Sequence, residues 1–192
     1  LLRDLYNKMS KGAFALFSAG VIDVTMAGAL KATYKLLYAL GVCDFTKLDA
    51  MFFPVQSIGF LLAGLGIIAM LTHRQEEKKL SSIALPAMLV VMTAVAPEVF
   101  TGTFVFVGLM VAGLGLLDVA LCILSKKLGK PGLIALYVFS FVCCLGMGYL
   151  SSKDFAEASM NWIAEGVNVV GQGTFLAGVI ILHKNGLADL TL

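Results

Sequence analysis

Four polar side chains lie on one face of a predicted helix near the end of the chain, inside a stretch that is otherwise apolar enough to span a bilayer. They follow one another at spacings of four, three and four residues: Asn161, Glu165, Asn168 and Gln172. Residues three and four apart share one side of an α-helix, and amides or a carboxylate on that side are costly when they face lipid. We therefore expect this face to border protein, water or a solute. A carboxylate flanked by amides could couple proton movement to transport, bind a cation, or accept hydrogen bonds from a neutral polar solute.

Two further carboxylates, Asp23 and Asp118, lie inside predicted spans. An acid at the centre of a membrane helix costs about 3 kcal/mol on insertion scales, and such residues usually mark ion pathways, proton relays or ligand sites. Glu165 is expected in the outer third of the membrane and Asp23 near the midplane, at the height of Gln172. Asp118 is expected about two helical turns from the cytoplasmic end, so the three acids could form a polar ladder across the membrane. In the structural alternative, an aspartate bonds to a neighbouring helix and holds the bundle together.

The composition predicts an all-α integral membrane protein. Of the 192 residues, 59% are hydrophobic and 14% are charged, whereas about 25% of residues are charged in typical soluble domains. The mean hydropathy is +0.94. The net charge is only +2, and the basic residues are dispersed rather than clustered, so the expected partner is the lipid bilayer and not nucleic acid.

Familiar motifs of enzymes and metal sites are absent from the sequence. It contains no His-Glu-x-x-His, Gly-x-Ser-x-Gly, Walker or Gly-x-Gly-x-x-Gly pattern. The four cysteines include no Cys-x-x-Cys pair, and neither histidine stands at ligand spacing. We therefore expect no catalytic residues, no metal site and no cofactor.

Six apolar runs are candidates to cross the hydrocarbon core of a bilayer, which is about 30 Å thick. They cover residues 12–30, 51–72, 80–96, 100–124, 132–150 and 160–182. We predict a six-helix transmembrane bundle that forms a single integral membrane domain over residues 1–192. The first run continues through Lys31 and Lys35 to Leu40, which we interpret as an interfacial extension because both lysines can snorkel. Pro86 allows a kink in the third run.

The distribution of lysine and arginine predicts the orientation of the bundle. Ten of the 14 basic residues lie at one set of span ends and four at the opposite set, and the alternation holds through all six spans. The positive-inside rule then places both termini in the cytoplasm. We predict a multi-pass protein of the plasma (inner) membrane.

Two sequence echoes suggest an internal helix repeat. Residues 59–68 resemble residues 173–182, which would relate the second and sixth spans as a parallel repeat, and Gln56 could then flank the same path from the related helix. Residues 20–24 resemble residues 115–119, but those two spans run in opposite directions, so this echo would suit an inverted repeat. A sequence rich in Leu, Ala and Gly also matches itself by chance.

Pairs of small residues four apart predict close helix contacts, because small side chains allow two backbones to approach each other. Three pairs have this spacing: Gly59 with Ala63, Gly108 with Ala112, and Gly173 with Ala177.

Three functions fit these observations. The first is a small transporter or channel for a polar solute or ion, coupled to protons through the intramembrane carboxylates, and this is the function we favour. The second is a membrane-embedded substrate-binding subunit of a larger complex, such as the binding component of a vitamin uptake system. The third is a structural or assembly subunit, in which the polar face is buried against a membrane partner or against another copy in a homo-oligomer.

Overall fold

The computed structural model describes residues 1–43, 46–72, 103–150 and 158–191. Within these ranges the regular structure is helical, which confirms the all-α prediction. The α-helices are α1 (Leu2–Leu5), α2 (Lys11–Ala39), α3 (Thr46–Thr72), α4 (Thr103–Lys127), α5 (Ile134–Leu150) and α6 (Ala158–Lys184). Three short 3-10 helices accompany them: Tyr6–Lys8, Pro131–Leu133 and Leu187–Asp189.

Four helical segments among the described residues are long and apolar enough to cross a membrane: Lys11–Ala39, Met51–Thr72, Val105–Lys127 and Trp162–Lys184. A shorter apolar helix covers Pro131–Met147. These five segments coincide with five of the six predicted spans, and the remaining one, 80–96, lies outside the described residues. The segments are compatible with a membrane protein, because a helix satisfies its own backbone hydrogen bonds in lipid.

The helix α2 continues to Ala39, so the tail that we interpreted as an interfacial extension is continuous helix. Ser10 starts this helix, and its hydroxyl accepts a hydrogen bond from the backbone N–H of Ala13 at 3.2 Å. Near the far end, the ammonium group of Lys31 lies 4.2 Å from the centroid of the Phe52 ring on α3. This cation–π contact links α2 to α3.

The chain divides into two compact units. The first unit is Met9–Leu117, and the second unit combines Leu1–Lys8 with Asp118–Leu192. Helix α4 contributes to both, since its residues up to Leu117 belong to the first unit and those from Asp118 onward to the second. A single membrane domain over residues 1–192 stays a prediction.

In the first unit, α3 packs against α2 and α4 through glycines. A side chain at Gly20 of α2 would collide with the backbone of Gly59 and Ala63 on α3. On another side of α3, a Cβ atom at Gly64 would lie 2.5 Å from the carbonyl oxygen of Gly113 on α4. The predicted close contact at Gly59 and Ala63 is therefore confirmed, and it brings helix backbones together.

The other two predicted small-residue contacts are not made within the described residues, so they stay predictions. A Cβ atom at Gly108 or at Gly173 would meet no atom of the described residues within 4 Å. Helix α6 packs on α5 through different glycines, Gly171 and Gly178, where an added Cβ would lie 2.8 Å from Cβ of Cys143 and 2.8 Å from Cε1 of Tyr137. Spacing shows which small residues share a side of a helix, but only the rotation of the helix in the fold decides which side meets a neighbour. The two echoed segments, 59–68 and 173–182, thus use their small residues differently.

The two ends of the chain meet in the second unit. Nδ1 of His183, at the end of α6, lies 2.9 Å from Oδ2 and 3.0 Å from Oδ1 of Asp4, an arrangement in which the ring N–H donates to the carboxylate. Nζ of Lys8 donates to the backbone oxygen of Ala188 at 2.6 Å. Leu5 and Leu187 are fully buried beside these polar contacts. The amino-terminal segment is therefore fixed against the carboxyl-terminal end of α6.

Candidate functional site

The predicted polar face of α6 is present on a continuous helix, but the described residues do not cover all of it. Asn168 and Gln172 are exposed, and Glu165 is half-buried. The side chain of Asn161 lies outside the described residues. We expected this face to border protein, water or a solute. The described residues do not cover Asn168 and Gln172 in this way.

Asp23 and Gln56 belong to the first unit, and both are half-buried. Asp23 lies where α2 meets α3, since a Cβ atom at Gly59 would be 2.9 Å from the Cβ of Asp23. The residue after Gln56 is the fully buried Ser57, whose hydroxyl lies 2.6 Å from the carbonyl oxygen of Phe53 and 2.8 Å from that of Phe106 on α4. One proton serves two acceptors here, so this hydroxyl links α3 to α4.

Asp118 is the predicted site residue that the fold buries. It is 5% exposed, and neither carboxylate oxygen has a hydrogen-bond partner within the described part of the chain. A buried polar group without a partner is destabilising, and a buried charge without one is far more so. Lysine at the end of α4 does not relieve this, because no ion pair joins Asp118 to a described residue.

The groups of the second unit that interact electrostatically with Asp118 are two thiols and a phenol. Its carboxylate interacts electrostatically with Cys122, one turn further along α4, and with Tyr137 and Cys144 on α5. Tyr137 and Cys144 are seven residues apart, so they lie on the same side of α5. One side of α4 and one side of α5 thus share a cluster of polar groups in which both thiols are half-buried. We call it the Asp118 cluster: Asp118, Cys122, Ser125, Tyr137 and Cys144.

Tyr137 is the second member of this cluster with an unsatisfied polar atom. It is 0% exposed, and its hydroxyl has no hydrogen-bond partner among the described residues. The hydroxyl of Ser125 lies near it, and Ser125 donates its own proton to the backbone oxygen of Leu121 at 2.7 Å. The cluster therefore contains an acceptor carboxylate and a phenol that neither the helices nor each other satisfy.

Helix α6 holds the Tyr137 ring in place from another side. The ring packs edge-on against Phe175 with a centroid separation of 6.0 Å. Gly178, one turn away, leaves room for the ring, since a Cβ atom there would lie 2.8 Å from Cε1 and 3.0 Å from the hydroxyl oxygen of Tyr137. The position of this phenol is thus set jointly by α5 and α6.

The sequence pointed to Asp118 but not to Tyr137. A tyrosine in the middle of an apolar run is a detectable signal, because a phenol buried in a membrane helix needs a partner. The pairing of that tyrosine with an aspartate on α4 and with Gly178 on α6 depends on helix rotation and could not be read from spacing.

Within residues 1–43, 46–72, 103–150 and 158–191, no group of three or more His, Cys, Asp or Glu side chains is arranged to hold a metal ion. The carboxylate, phenol, hydroxyl and thiols of the Asp118 cluster are suited to exchanging a proton or to hydrogen bonding a polar solute.

Comparison with known proteins gives no relative: no protein-family model matches the chain, and neither a curated protein nor a solved structure is similar to it.

Proposed function

We propose that this chain is a small multi-pass protein of the plasma (inner) membrane that transports a polar solute or ion, with Asp118 as the ionisable group on its path. The observation that carries this proposal is the burial of both Asp118 oxygens without a hydrogen-bond partner in the described chain. A carboxylate kept in that state is expensive, and intramembrane acids are by default candidates for function. A structural aspartate would instead be expected to bond to its neighbours.

The chemistry of the cluster supports proton coupling. An empty site would favour a protonated, neutral Asp118, because an isolated carboxylate in low dielectric is disfavoured. A cation, or a solute with N–H or O–H donors, would stabilise the carboxylate and release its proton, while the free hydroxyl of Tyr137 could donate to the solute or accept from it. Exchange of a proton for a bound solute is the step that a coupled carrier needs.

The contact between the two ends of the chain supports the six-span arrangement. Asp4 and His183 meet at 2.9 Å, which supports an arrangement with both ends on one side of the membrane. An odd number of crossings would separate the ends, whereas six crossings return them to the same side. The excess of basic residues at that set of span ends favours the cytoplasmic side.

The test is flux through the purified, full-length protein in liposomes that contain a pH-sensitive dye. Inward gradients of methylammonium, urea and acetate provide cationic, neutral and anionic polar probes. We expect at least one probe to drive a pH change that is clearly faster than in empty liposomes. Asp118→Asn should reduce that coupled flux at least tenfold, because an amide cannot release a proton.

Asp189→Asn is the matched control, since this exposed acid lies beyond the end of α6 and should leave the flux unchanged. Wild-type flux in a folded Asp118→Asn protein would contradict the role of Asp118. A wild-type protein that moves none of the three probes faster than empty liposomes would contradict the transport function itself.

A second candidate, a binding or structural subunit of a larger membrane complex, is favoured by the exposure of Asn168 and Gln172. In that case the purified chain should show no flux, and a second protein should co-purify with it in fixed stoichiometry. Restoration of flux on addition of that protein would identify a partner-dependent transporter.

A further inference from the structure

The buried polar groups of the Asp118 cluster determine which kind of solute they could bind. Asp118 is 5% exposed and Tyr137 is 0% exposed, and neither the carboxylate oxygens nor the phenol oxygen has a hydrogen-bond partner among the described residues. Ser125 adds a hydroxyl whose proton is donated to the backbone oxygen of Leu121, so it offers only lone pairs. The free positions of the cluster are therefore mainly acceptors, and a bound solute has to supply the donors.

No positive charge of the second unit compensates the carboxylate of Asp118 within the described residues. The groups there that interact electrostatically with it are the thiols of Cys122 and Cys144 and the phenol of Tyr137, and none of these is cationic. A buried charge without a partner is far more costly than a buried neutral polar group without one. A neutral solute would satisfy the acceptors but leave an ionised Asp118 uncompensated, and an anion would add a second negative charge. A cation is therefore the class of solute that stabilises this carboxylate most.

The charge and the number of oxygens narrow the class of cation. One carboxylate balances one positive charge, whereas Mg²⁺ and Ca²⁺ carry two charges and take about six to eight oxygen ligands. The described ranges also contain no group of three or more His, Cys, Asp or Glu side chains that could hold a metal ion. A primary ammonium group carries one charge and three N–H donors. These donors equal in number the three oxygens of Asp118 and Tyr137 that have no partner in the described chain.

We infer that the solute bound at Asp118 is a small primary ammonium ion, such as methylammonium. This inference rests on the proposed role of Asp118 on the transport path. Asp118 is protonated in the empty site, and its proton passes to bulk water when the ammonium ion enters. The N–H groups then donate to the two carboxylate oxygens and to the hydroxyl oxygen of Tyr137. One positive charge enters as one leaves, so the net charge of the cluster is zero in both states.

Infrared difference spectroscopy measures this exchange on the purified, full-length protein in a lipid film that is perfused with and without a probe. The C=O stretching band of a protonated carboxyl group disappears when the group ionises. We expect methylammonium, at constant pH and ionic strength, to remove one such band. Asp118→Asn should abolish this change. Asp189→Asn is the matched control, since it changes an exposed acid beyond the end of α6 and should retain the change.

The concentration of probe that gives half of the spectral change tests the role of the N–H donors. In the wild-type protein, tetramethylammonium and potassium, which have a positive charge but no N–H group, should need at least tenfold higher concentrations than methylammonium. Tyr137→Phe removes one of the three oxygens and should raise the methylammonium value at least fivefold. Tyr149→Phe makes the same change at an exposed tyrosine of α5 and should leave the value within twofold of the wild type.

The inference would be overturned if methylammonium removed no carboxyl band, or if the band were lost equally in Asp118→Asn. An equal or stronger response of the wild-type protein to tetramethylammonium, potassium, urea or acetate would overturn it as well, and this series depends on no variant. Failure of the transport proposal gives a different result. Asp118-dependent flux of urea or acetate without methylammonium binding would leave transport in place and remove the ammonium ion, whereas methylammonium binding without flux of any probe would do the reverse.

Discussion

In the first unit, the fully buried hydroxyl of Ser57 lies 2.6 Å and 2.8 Å from two carbonyl oxygens, whereas in the second unit the equally buried hydroxyl of Tyr137 has no partner among the described residues. The two carboxylate oxygens of Asp118 in the second unit are likewise buried without a hydrogen-bond partner among the described residues. The first unit also brings helix backbones into contact at Gly20 and Gly113, while Gly178 in the second unit makes room for a side chain.

This difference separates residues that hold helices together from residues that are free to bind. A satisfied hydroxyl and backbone contacts leave little freedom, because any change in them opens a gap or a clash. An unsatisfied carboxylate beside an unsatisfied phenol lowers stability, which natural proteins tolerate mainly where function needs it. The contrast therefore favours the second unit as the place where a solute or proton is handled.

Gly113→Val should have the strongest effect on stability. A Cβ atom at this position would collide with the backbone of Phe60 and Leu61, and a helix backbone cannot move away as a side chain can. We expect the free energy of unfolding, measured by SDS titration in mixed micelles, to fall by about 3 kcal/mol or more. Gly108→Val on the same helix should change it by less than about 1 kcal/mol. Equal effects of the two variants would contradict the close packing of α3 on α4.

Removal of the two buried hydroxyls should change stability in opposite directions. Ser57→Ala loses a satisfied hydrogen bond and should lower the free energy of unfolding by about 1 kcal/mol. Tyr137→Phe removes a group that has no partner and should raise it by about 1 kcal/mol. The same SDS titration measures both. A loss of stability in Tyr137→Phe as large as that in Ser57→Ala would mean that the phenol is satisfied, and the contrast between the units would disappear.

Gly178→Ala should impair transport more than folding. The added methyl group would lie 2.8 Å from Cε1 of Tyr137, so the ring must shift and carry its hydroxyl away from the Asp118 cluster. We expect coupled flux in liposomes to fall about tenfold, which corresponds to about 1.4 kcal/mol. Gly173→Ala, where a Cβ atom meets nothing within 4 Å among the described residues, is the control. Unchanged flux in Gly178→Ala would remove Tyr137 from the path.

Asp4→Ala tests the polar contact between the two ends of the second unit, which contrasts with the unsatisfied Asp118 and Tyr137 inside the same unit. The variant removes the contact with His183, which is 55% exposed, so we expect a local loss of about 1 kcal/mol. Trypsin should then cleave after Lys8 about fivefold faster, because the amino-terminal segment opens more often. Asp189→Ala provides a matched change of an exposed acid near the same end, and it should leave the cleavage rate unchanged.

Much of the fold could be predicted from the sequence. Five of the predicted spans coincide with helices, and the run 51–72 agrees to the residue with the apolar segment of α3. Such agreement is expected in apolar chains, because backbone hydrogen bonding leaves helices as the way for a single apolar run to cross lipid. The polar row on α6 was also predictable, since it follows from helical periodicity alone.

The candidate site could be predicted only in part. Glu165 was the strongest candidate on the sequence, yet its neighbours Asn168 and Gln172 are exposed, while Asp118 is buried with unsatisfied oxygens. Periodicity states which side chains share a face, but it does not state which face turns inward.

The sequence by itself determined the helical class, the positions of the long apolar helices and the presence of acids within them, because these depend on local hydrophobicity and hydrogen bonding. Only the tertiary structure decided the rotation of each helix about its axis. That rotation placed Gly171 and Gly178 rather than Gly173 against α5, brought Tyr137 to Asp118, and left Asn168 and Gln172 of α6 exposed among the described residues. Rotation is set by side-chain packing between helices distant in sequence, and no local pattern encodes it.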